Sequence, residues 1–578
     1  MAQIIAEPTG PAAAPAGKGF SGLWDRQLPH YPPTSARYRY LALTVLATIV
    51  LYYELYIPGA VATHIIADYD MGFTMFVTVS IIGNLLGAFA SLVAGLADRW
   101  GRANLVVGGL FITGLLVLFA LPHAPNTLTY TIAFGALSIV EGLILVATPA
   151  LVRDFSPQVG RASAMAFWTM GPVLGSLVVT LVSSNTLDAH PNWRFQFYVC
   201  GTVGLIVAVL AMLGLKELSP NLRDQLMVDL HDQALIEAKA RGIDTEAAAQ
   251  NHWKQMAHLN IIGPAVGISL FLLFYYIAVG FFVVYFATNF GYTEQRGNSL
   301  ANWYWITNAL ALLIAGIFSD KIRVRKPLMF LGTVISMVGV AIFATLATQQ
   351  DTGYYTLAWV LVLNALGSGM SYCAWMAAFT ETVEERNPAA TATGLAVYGW
   401  TVRTVVCLSL LSLVFAVPAT STLIDKGTKV SEIAAEYPDQ IATISAVEPA
   451  TLAALTKNPT DATAGAAAVG QLIKAGLATD PASAAARLQQ LSTEPVPAED
   501  LAYLGEHASD VKQAQKDSPH QWQRWWWICL IAQILFLPFI FVMTGRWDPR
   551  KAKADADAHA AAVERELAAL SGQEPPRS

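Results

Sequence analysis

Three ionisable residues sit inside otherwise apolar stretches of this chain, and their types suit one kind of chemistry. Glu54 falls in Tyr52-Tyr53-Glu54-Leu55-Tyr56, Glu141 precedes Gly142, and Arg403 lies between Thr401 and Val406. A charge at the centre of a bilayer costs about 2.5–3.5 kcal/mol on insertion scales, so such residues face a cavity or a partner. A carboxyl withdrawn from water takes up and releases a proton near working pH, which makes Glu54 the first candidate for a proton carrier. Arg403, as a cation, either pairs with Glu141 or receives an anionic group of a solute. The competing reading is a structural Glu141–Arg403 pair with Glu54 at the lipid headgroups. Tyr53, Tyr275, Tyr276, Trp303, Trp305, Asn364 and Trp375 are candidates to line a cavity, stacking on a ring or sugar face while donating hydrogen bonds. Core packing is the alternative for each.

These groups bind and release; they do not make bonds. The histidines (His64, His123, His190 and His252 among them) are scattered, and no nucleophile, base or metal-ligand spacing gathers at one place. The four cysteines, Cys200, Cys373, Cys407 and Cys529, all fall in apolar runs without CxxC or Cys/His spacing. No enzyme activity, metal or cofactor is expected.

Elements of a particular length must hold such residues. Hydrophobic residues make up 54% of the 578-residue chain and charged residues 13%, about half the roughly 25% of soluble domains. Runs of about 20 apolar residues match the bilayer core. They fall near 38–58, 72–96, 103–122, 127–151, 161–184 and 193–214, then 260–288, 299–318, 327–347, 354–379, 389–417 and 524–544. The expected fold is all-α and polytopic, with twelve transmembrane helices. Placing the N-terminus in the cytoplasm puts Arg37, Arg39, Arg99, Arg102, Arg153, Arg161, Lys321, Arg323, Arg325, Lys326, Arg386, Arg546, Arg550 and Lys551 inside. The opposite short loops hold few bases (Arg194, Arg296) and carry Asp68, Asp70, Asp188 and Asp351. The positive-inside rule then places both termini in the cytoplasm. The net charge of −6 is spread over soluble appendages, and no basic run suggests nucleic acid.

Two short charged signatures repeat at matching places. One reads Ala94-Gly-Leu-Ala-Asp98-Arg99-Trp-Gly101-Arg102; the other reads Gly316-Ile-Phe-Ser-Asp320-Lys321-Ile-Arg323-Val-Arg325-Lys326. Tyr130-Thr131 and Glu141-Gly142 in the fourth run are echoed by Tyr355-Thr356 and Leu366-Gly367 in the tenth. The paired signature Gly-x-x-x-Asp-Arg/Lys-x-Gly-Arg resembles the loop signature of the major facilitator superfamily of secondary transporters, and the resemblance covers nearly all the apolar sequence. It implies two pseudo-symmetric six-helix halves rocking around a central solute site. It also implies mechanical roles at a cytoplasmic gate. Asp98 would face the start of the eleventh helix; Arg99 and Arg102 would pair with nearby acids; Asp320, Lys321 and Arg325 would do the equivalent. Gly101 would permit the tight turn and Gly316 close helix approach. Ala94 and Arg323 depart from the family's glycines, the second implying a looser latch.

Direction is divided. The fourth span lacks the arginine of drug/proton antiporters, having Ser138 there, and Gly171-Pro172-Val-Leu-Gly175-Ser176 matches their fifth-span signature only in part. Glu217-Leu-Ser219-Pro220-Asn-Leu-Arg223 resembles the Pro-Glu-Ser-Pro-Arg signature of sugar porters and aromatic-acid symporters. Proton symport of an organic acid or sugar at the inner membrane is the expectation, with a drug or metabolite exporter as the alternative and a transporter-fold sensor or scaffold behind it. The partners so implied are a small solute, protons and the lipid bilayer.

The remaining segments read as appendages: a disordered cytoplasmic tail over 1–37, a cytoplasmic linker over 215–259, and a cytoplasmic tail over 546–578 with an Ala-rich helix. They frame an N-terminal half over 38–214, spans seven to eleven over 260–417, and span twelve over 522–545. Residues 418–521, broken by Pro438, Pro449, Pro459 and Pro481, read as a helical extracytoplasmic insertion. It is either a lid or partner-docking domain or a tolerated surface insertion. The triplet Trp525-Trp526-Trp527 reads as an interfacial belt.

Overall fold

The structure, a computed structural model, describes residues 26–92, 101–156, 168–219, 222, 236, 252–387, 391–458 and 460–571. Apolar runs become helices because a chain in lipid must satisfy its backbone internally. The first half comprises α1 (Thr34–Ala60), α2 (Ala62–Asp68), α3 (Phe73–Leu92), α4 (Arg102–Leu115, prolonged by a π turn over Leu116–Ala120), α5 (Thr127–Phe155), α6 (Gly171–Thr186) and α7 (Arg194–Gly214). After a short α8 (His252–Met256), the second half comprises α9 (Leu259–Phe271), α10 (Leu273–Gly280), α11 (Phe282–Phe290), α12 (Glu294–Ile322), α13 (Lys326–Leu346), α14 (Tyr354–Arg386) and α15 (Thr391–Ala416). Among the described residues ten helices are long and apolar enough to cross a membrane, or eleven when α9 and α10, bent by 45°, count as one. Side chains such as Phe119, Leu213, Ile314 and Phe415 stand exposed around the bundle, an apolar belt far larger than a soluble monomer presents.

The halves meet along four seams: α3 with α15, α6 with α12, α1 with α10, and α2 with α11. The seventh apolar run, expected as one helix over 260–288, is three. It breaks at Leu272 and Phe281 with no proline at either point.

The 1–37 tail is ordered from Arg26. Gln27–Leu28 (β1) pairs in parallel with Glu217–Leu218 (β2), and α1 already begins at Thr34. The buried Arg26 guanidinium donates to the carbonyls of Met212 (2.5 Å) and Leu215 (3.2 Å), closing the C-terminus of α7, and to Asn104 Oδ1 (2.9 Å).

Beyond α15 come α16 (Pro418–Thr422), a π turn (Leu423–Gly427), α17 (Thr428–Glu436), α18 (Pro438–Ala446), α19 (Pro449–Lys457), α20 (Ala462–Lys474) and α21 (Pro481–Thr493). Pro418, Pro438, Pro449 and Pro481 each sit at a first helical turn, where no backbone donor is lost. A small core of Val447, Ala468, Leu472, Ala478 and Ala484 holds α18–α21 together. The last apolar run is not a separate helix from 522. It is the end of α22, a continuous 45-residue helix over Ala498–Val542. Trp522 Nε1 donates to Thr420 Oγ1 at 2.9 Å and Gln521 accepts from Ala419 N, fastening α16 to it. Trp525 and Trp526 are both buried, Trp526 against Phe274, Tyr285 and Phe343, so only Trp527 of the expected belt faces outward. Three consecutive helical residues span about 200°, and one face alone can meet lipid. α23 (Pro549–Ser571) ends the described chain.

Candidate functional site

Where the two signatures match, the turns between α3 and α4 and between α12 and α13 both hold a residue at positive φ, but in different conformations. Gly101 has φ 90° and the matching Arg323 has φ 55°. Arg323, with ψ 24°, is left-handed helical, where a non-glycine residue costs of order 1 kcal/mol or more, whereas Gly101 has ψ 132°. The ion pairs repeat as well. Arg102 meets Asp154 at 2.8 Å, and its backbone N–H donates to Glu217. Arg325 meets Asp320 at 2.8 Å and Glu381 at 3.1 Å. Gly316 lies against Cys373 of α14, and Lys321 is exposed. Ala94, Asp98 and Arg99 lie outside the described residues.

Between the halves stands a cluster that only part of the sequence reading anticipates. Tyr52 and Tyr56, one turn apart on α1 with ring centroids 5.3 Å apart, face it. Tyr52 lies within electrostatic reach of Glu141, Arg403 and Tyr372, and Tyr56 faces Tyr275. From the second half, Tyr275 and Tyr276 of α10 join Tyr372 of α14 and Tyr398 of α15, whose hydroxyls are 3.1 Å apart. The broken seventh span positions the two α10 tyrosines. Trp375, fully buried, lies tilted against Tyr398 at 4.8 Å and stacks on Phe379. Trp305 packs edge-on to Tyr275 at 5.4 Å.

Glu141 of α5 and Arg403 of α15 come to this space from opposite halves. Their charges sense each other, yet they form no ion pair; Arg403 Nη1 donates instead to Ser91 Oγ of α3 at 2.9 Å. Glu141 has no hydrogen-bond partner among the described residues and is packed beside Gly87.

The remaining candidates are placed elsewhere, for reasons of helical phase. Tyr53 and Glu54 follow Tyr52 by about 100° and 200° and turn into the first half. Glu54 is fully buried against Gly204 and near Cys200 of α7, with the Thr113 hydroxyl as its nearest polar group; neither carboxyl oxygen has a partner of normal geometry. Glu54 therefore does not face the space shared by the two halves. Tyr53 packs beside Cys200. Trp303, two residues from Trp305, is 44% exposed on the outer surface. Asn364 is locked within the second half, accepting from Ser336 Oγ (2.7 Å), which in turn accepts from Gln533 (2.9 Å). Sequence reasoning missed Tyr372 and Tyr398 as site residues and passed over Tyr52 and Tyr56. Their common signal is a hydroxyl-bearing ring recurring on spans one, seven, ten and eleven.

Two helical halves closing around a polar, aromatic space define a membrane carrier. The chain belongs to the Major Facilitator Superfamily, whose profile matches residues 44–408. It is a transporter of that superfamily. It is similar to the efflux pump radE of Floropilus chiversii, 23% identical over 384 residues, which are 60% of this chain and 68% of that protein. A 115-residue stretch is 30% identical to sialin of Ovis aries, covering 20% of this chain and 23% of sialin. The fold superposes on a bacterial homolog of the human lysosomal transporter Spinster, inward-facing and unoccupied. The TM-score is 0.53 at 15% identity, over 90% of this chain and 100% of that one.

Proposed function

We propose that this chain carries a small organic anion together with a proton across the inner membrane by alternating access through twelve spans, with both termini in the cytoplasm. The observation that carries the reading is that Glu141 and Arg403 reach one tyrosine-lined space from opposite halves. An ionised Glu141 neutralises Arg403 at a distance, and a solute carboxylate entering then brings a second negative charge into a poorly solvated space. Protonating Glu141 removes that charge and leaves Arg403 to hold the solute's carboxylate. Proton and anion therefore bind with positive coupling, which is reciprocal by linkage. Tyr52, Tyr56, Tyr275, Tyr276 and Tyr398 supply ring faces and hydroxyls, suiting a planar or hydroxylated acid. Glu141 takes the coupling role because it stands where rocking changes its surroundings; Glu54 is enclosed within one half.

The test is internal pH in proteoliposomes as organic acids, sugars and cationic drugs are added outside, with empty liposomes correcting for passive acid entry. Saturable acidification with an organic acid, absent in Glu141→Gln, is the expected result. Acidification that persists in Glu141→Gln refutes the assignment. Alkalinisation would mean antiport, the second reading, which similarity to an efflux pump favours.

A further inference from the structure

At the end of the bundle away from the Gly101 and Arg323 turns, the halves are joined through one carboxylate. Glu294, the first residue of α12, accepts from Thr63 N (2.9 Å), Thr63 Oγ1 (2.5 Å) and His64 N (3.1 Å), and meets His64 Nδ1 at 2.5 Å. All four groups belong to α2 of the other half. One turn further along α12, Asn298 donates to Ala60 O at 2.8 Å, and Asn302 donates to Ser184 Oγ of α6 at 2.9 Å. Beneath these contacts lies a narrow crevice between the halves, lined by Tyr56, Gly59, Ser176, Thr180, Asn298 and Trp305. It leads from the tyrosine cluster toward this end.

We propose that Glu294 is the releasable fastener of this end, that parting it from Thr63 and His64 opens the crevice, and that the charge on His64 sets how readily it parts. The inference rests on the alternating-access part of the reading above and not on the identity of the solute. Geometry separates two roles. The Glu294 side chain is 3% exposed and the His64 side chain 50%, so the imidazole exchanges protons with water while the carboxylate stays shielded. A charge-assisted hydrogen bond of this type is stronger than a neutral one.

The hydrogen bond to Glu294 holds His64 protonated above its ordinary value of 6.5, against the opposing effect of burial. A group whose closed-state pKa is raised contributes closure that is fully present below the open-state value and lost as pH climbs through the closed-state value. Closure at this end therefore weakens as pH rises above about 6.5. The surrounding charges leave the sign unchanged. Asp68 on α2, which also favours the imidazolium, is held by Arg194 (2.6 Å) and Trp193 Nε1 (2.7 Å). Arg296 on α12 lies over the Tyr292 and Tyr354 rings. The π turn before α17 brings Asp425, which accepts from Phe73 N at 2.8 Å, and Lys426, 3.6 Å from Asp510. Asp70 follows α2, α11 contributes Tyr285, buried among rings, and α1 carries Tyr52, Tyr53 and Tyr56, with Glu54 enclosed in its own half and Arg37 and Arg39 near its opposite end.

The test is thiol labelling of Thr180→Cys in a background whose four native cysteines are replaced. The protein is held in nanodiscs, and the rate is divided by that of the exposed Gln350→Cys, which cancels the intrinsic pH dependence of thiolate chemistry. Glu294→Gln should raise the normalised rate about tenfold, the scale of a lost hydrogen bond to a charged group. In the parent the rate should climb as pH rises above about 6.5, and His64→Gln should abolish that climb. Thr63→Val removes one donor and keeps the carboxylate; it should shift the rate in the same direction by less, and it serves if Glu294→Gln fails to reach the membrane. An unchanged rate in Glu294→Gln, or in Thr63→Val where that stands in, overturns the proposal. So does a climb that survives His64→Gln. No solute is needed, so this failure and failure of the Glu141–Arg403 reading are separately visible.

Discussion

The two halves repeat each other at their turns and differ in their interiors. Gly101 and Arg323 both have positive φ, and Arg102–Asp154 is answered by Arg325–Glu381. Inside, the matching glycines of the fourth and tenth spans meet different neighbours. A methyl on Gly142 would strike the Gly87 backbone of α3, whereas one on Gly367 would strike Ser336 and Gly332 of α13. The first half contributes the acid, Glu141, and the second contributes Arg403 and most of the tyrosines. The turns keep a positive φ and an arginine–carboxylate pair on differing backbones. The helix interfaces have diverged further, and the two interiors supply complementary groups.

The sharpest way to break this comparison is to exchange the division of labour. Glu141→Gln should abolish proton-driven accumulation while leaving solute-for-solute exchange. Arg403→Gln should raise KM for an anionic solute about a hundredfold, from the 2–5 kcal/mol cost of removing one partner of a buried charged contact. Counterflow with labelled solute separates the two; similar exchange loss in both would remove the distinction between acid and base halves. Next come the interfaces. Gly142→Val and Gly367→Val should each destabilise by about 1–3 kcal/mol through overpacking, read as thermal unfolding in detergent. A Gly142→Val variant crosslinking normally between α3 and α5 would contradict the packing described.

The turns should respond in mirror image. Gly101→Ala should destabilise by about 1 kcal/mol and Arg323→Gly should stabilise by a similar amount. The Arg323–Asp557 contact, 3.7 Å long and exposed on both sides, adds little to offset that gain. Equal signs in the two variants would contradict the strain assigned to positive φ at one of the two positions. The smallest effect belongs to Glu54→Gln. Accumulation should survive within about a factor of two, since the change is nearly isosteric at a site enclosed in one half. Loss of accumulation there would move coupling to Glu54.

Much of this architecture was legible because lipid imposes a length and an absence of charge that any reader can count. The order of apolar runs, the paired turns and the residues Glu141, Arg403, Tyr275, Tyr276 and Trp375 followed from that. Helical phase did not follow. α1 is covered on nearly every side, so no polar stripe distinguishes the Tyr52–Tyr56 face from the Tyr53–Glu54 face. The breaks at Leu272 and Phe281 carry no proline. Arg26 gave no signal of its own, because its acceptors are the carbonyls ending a helix more than 180 residues away. Span twelve reads from the sequence as starting at 522, yet α22 runs through that point and through Pro519.

That last helix has a mechanical consequence. At 1.5 Å per residue its 45 residues measure about 67 Å, roughly twice the 30 Å thickness of a bilayer's hydrocarbon. Its apolar end is cemented into the second half by Trp525 and Trp526, while its other end carries the helices from Pro418 onward. A stiff rod clamped at one end turns a small tilt at its root into a large sweep at its tip. Any rocking of the second half would be displayed, amplified, well outside the lipid, and a load on that tip would be felt at the root.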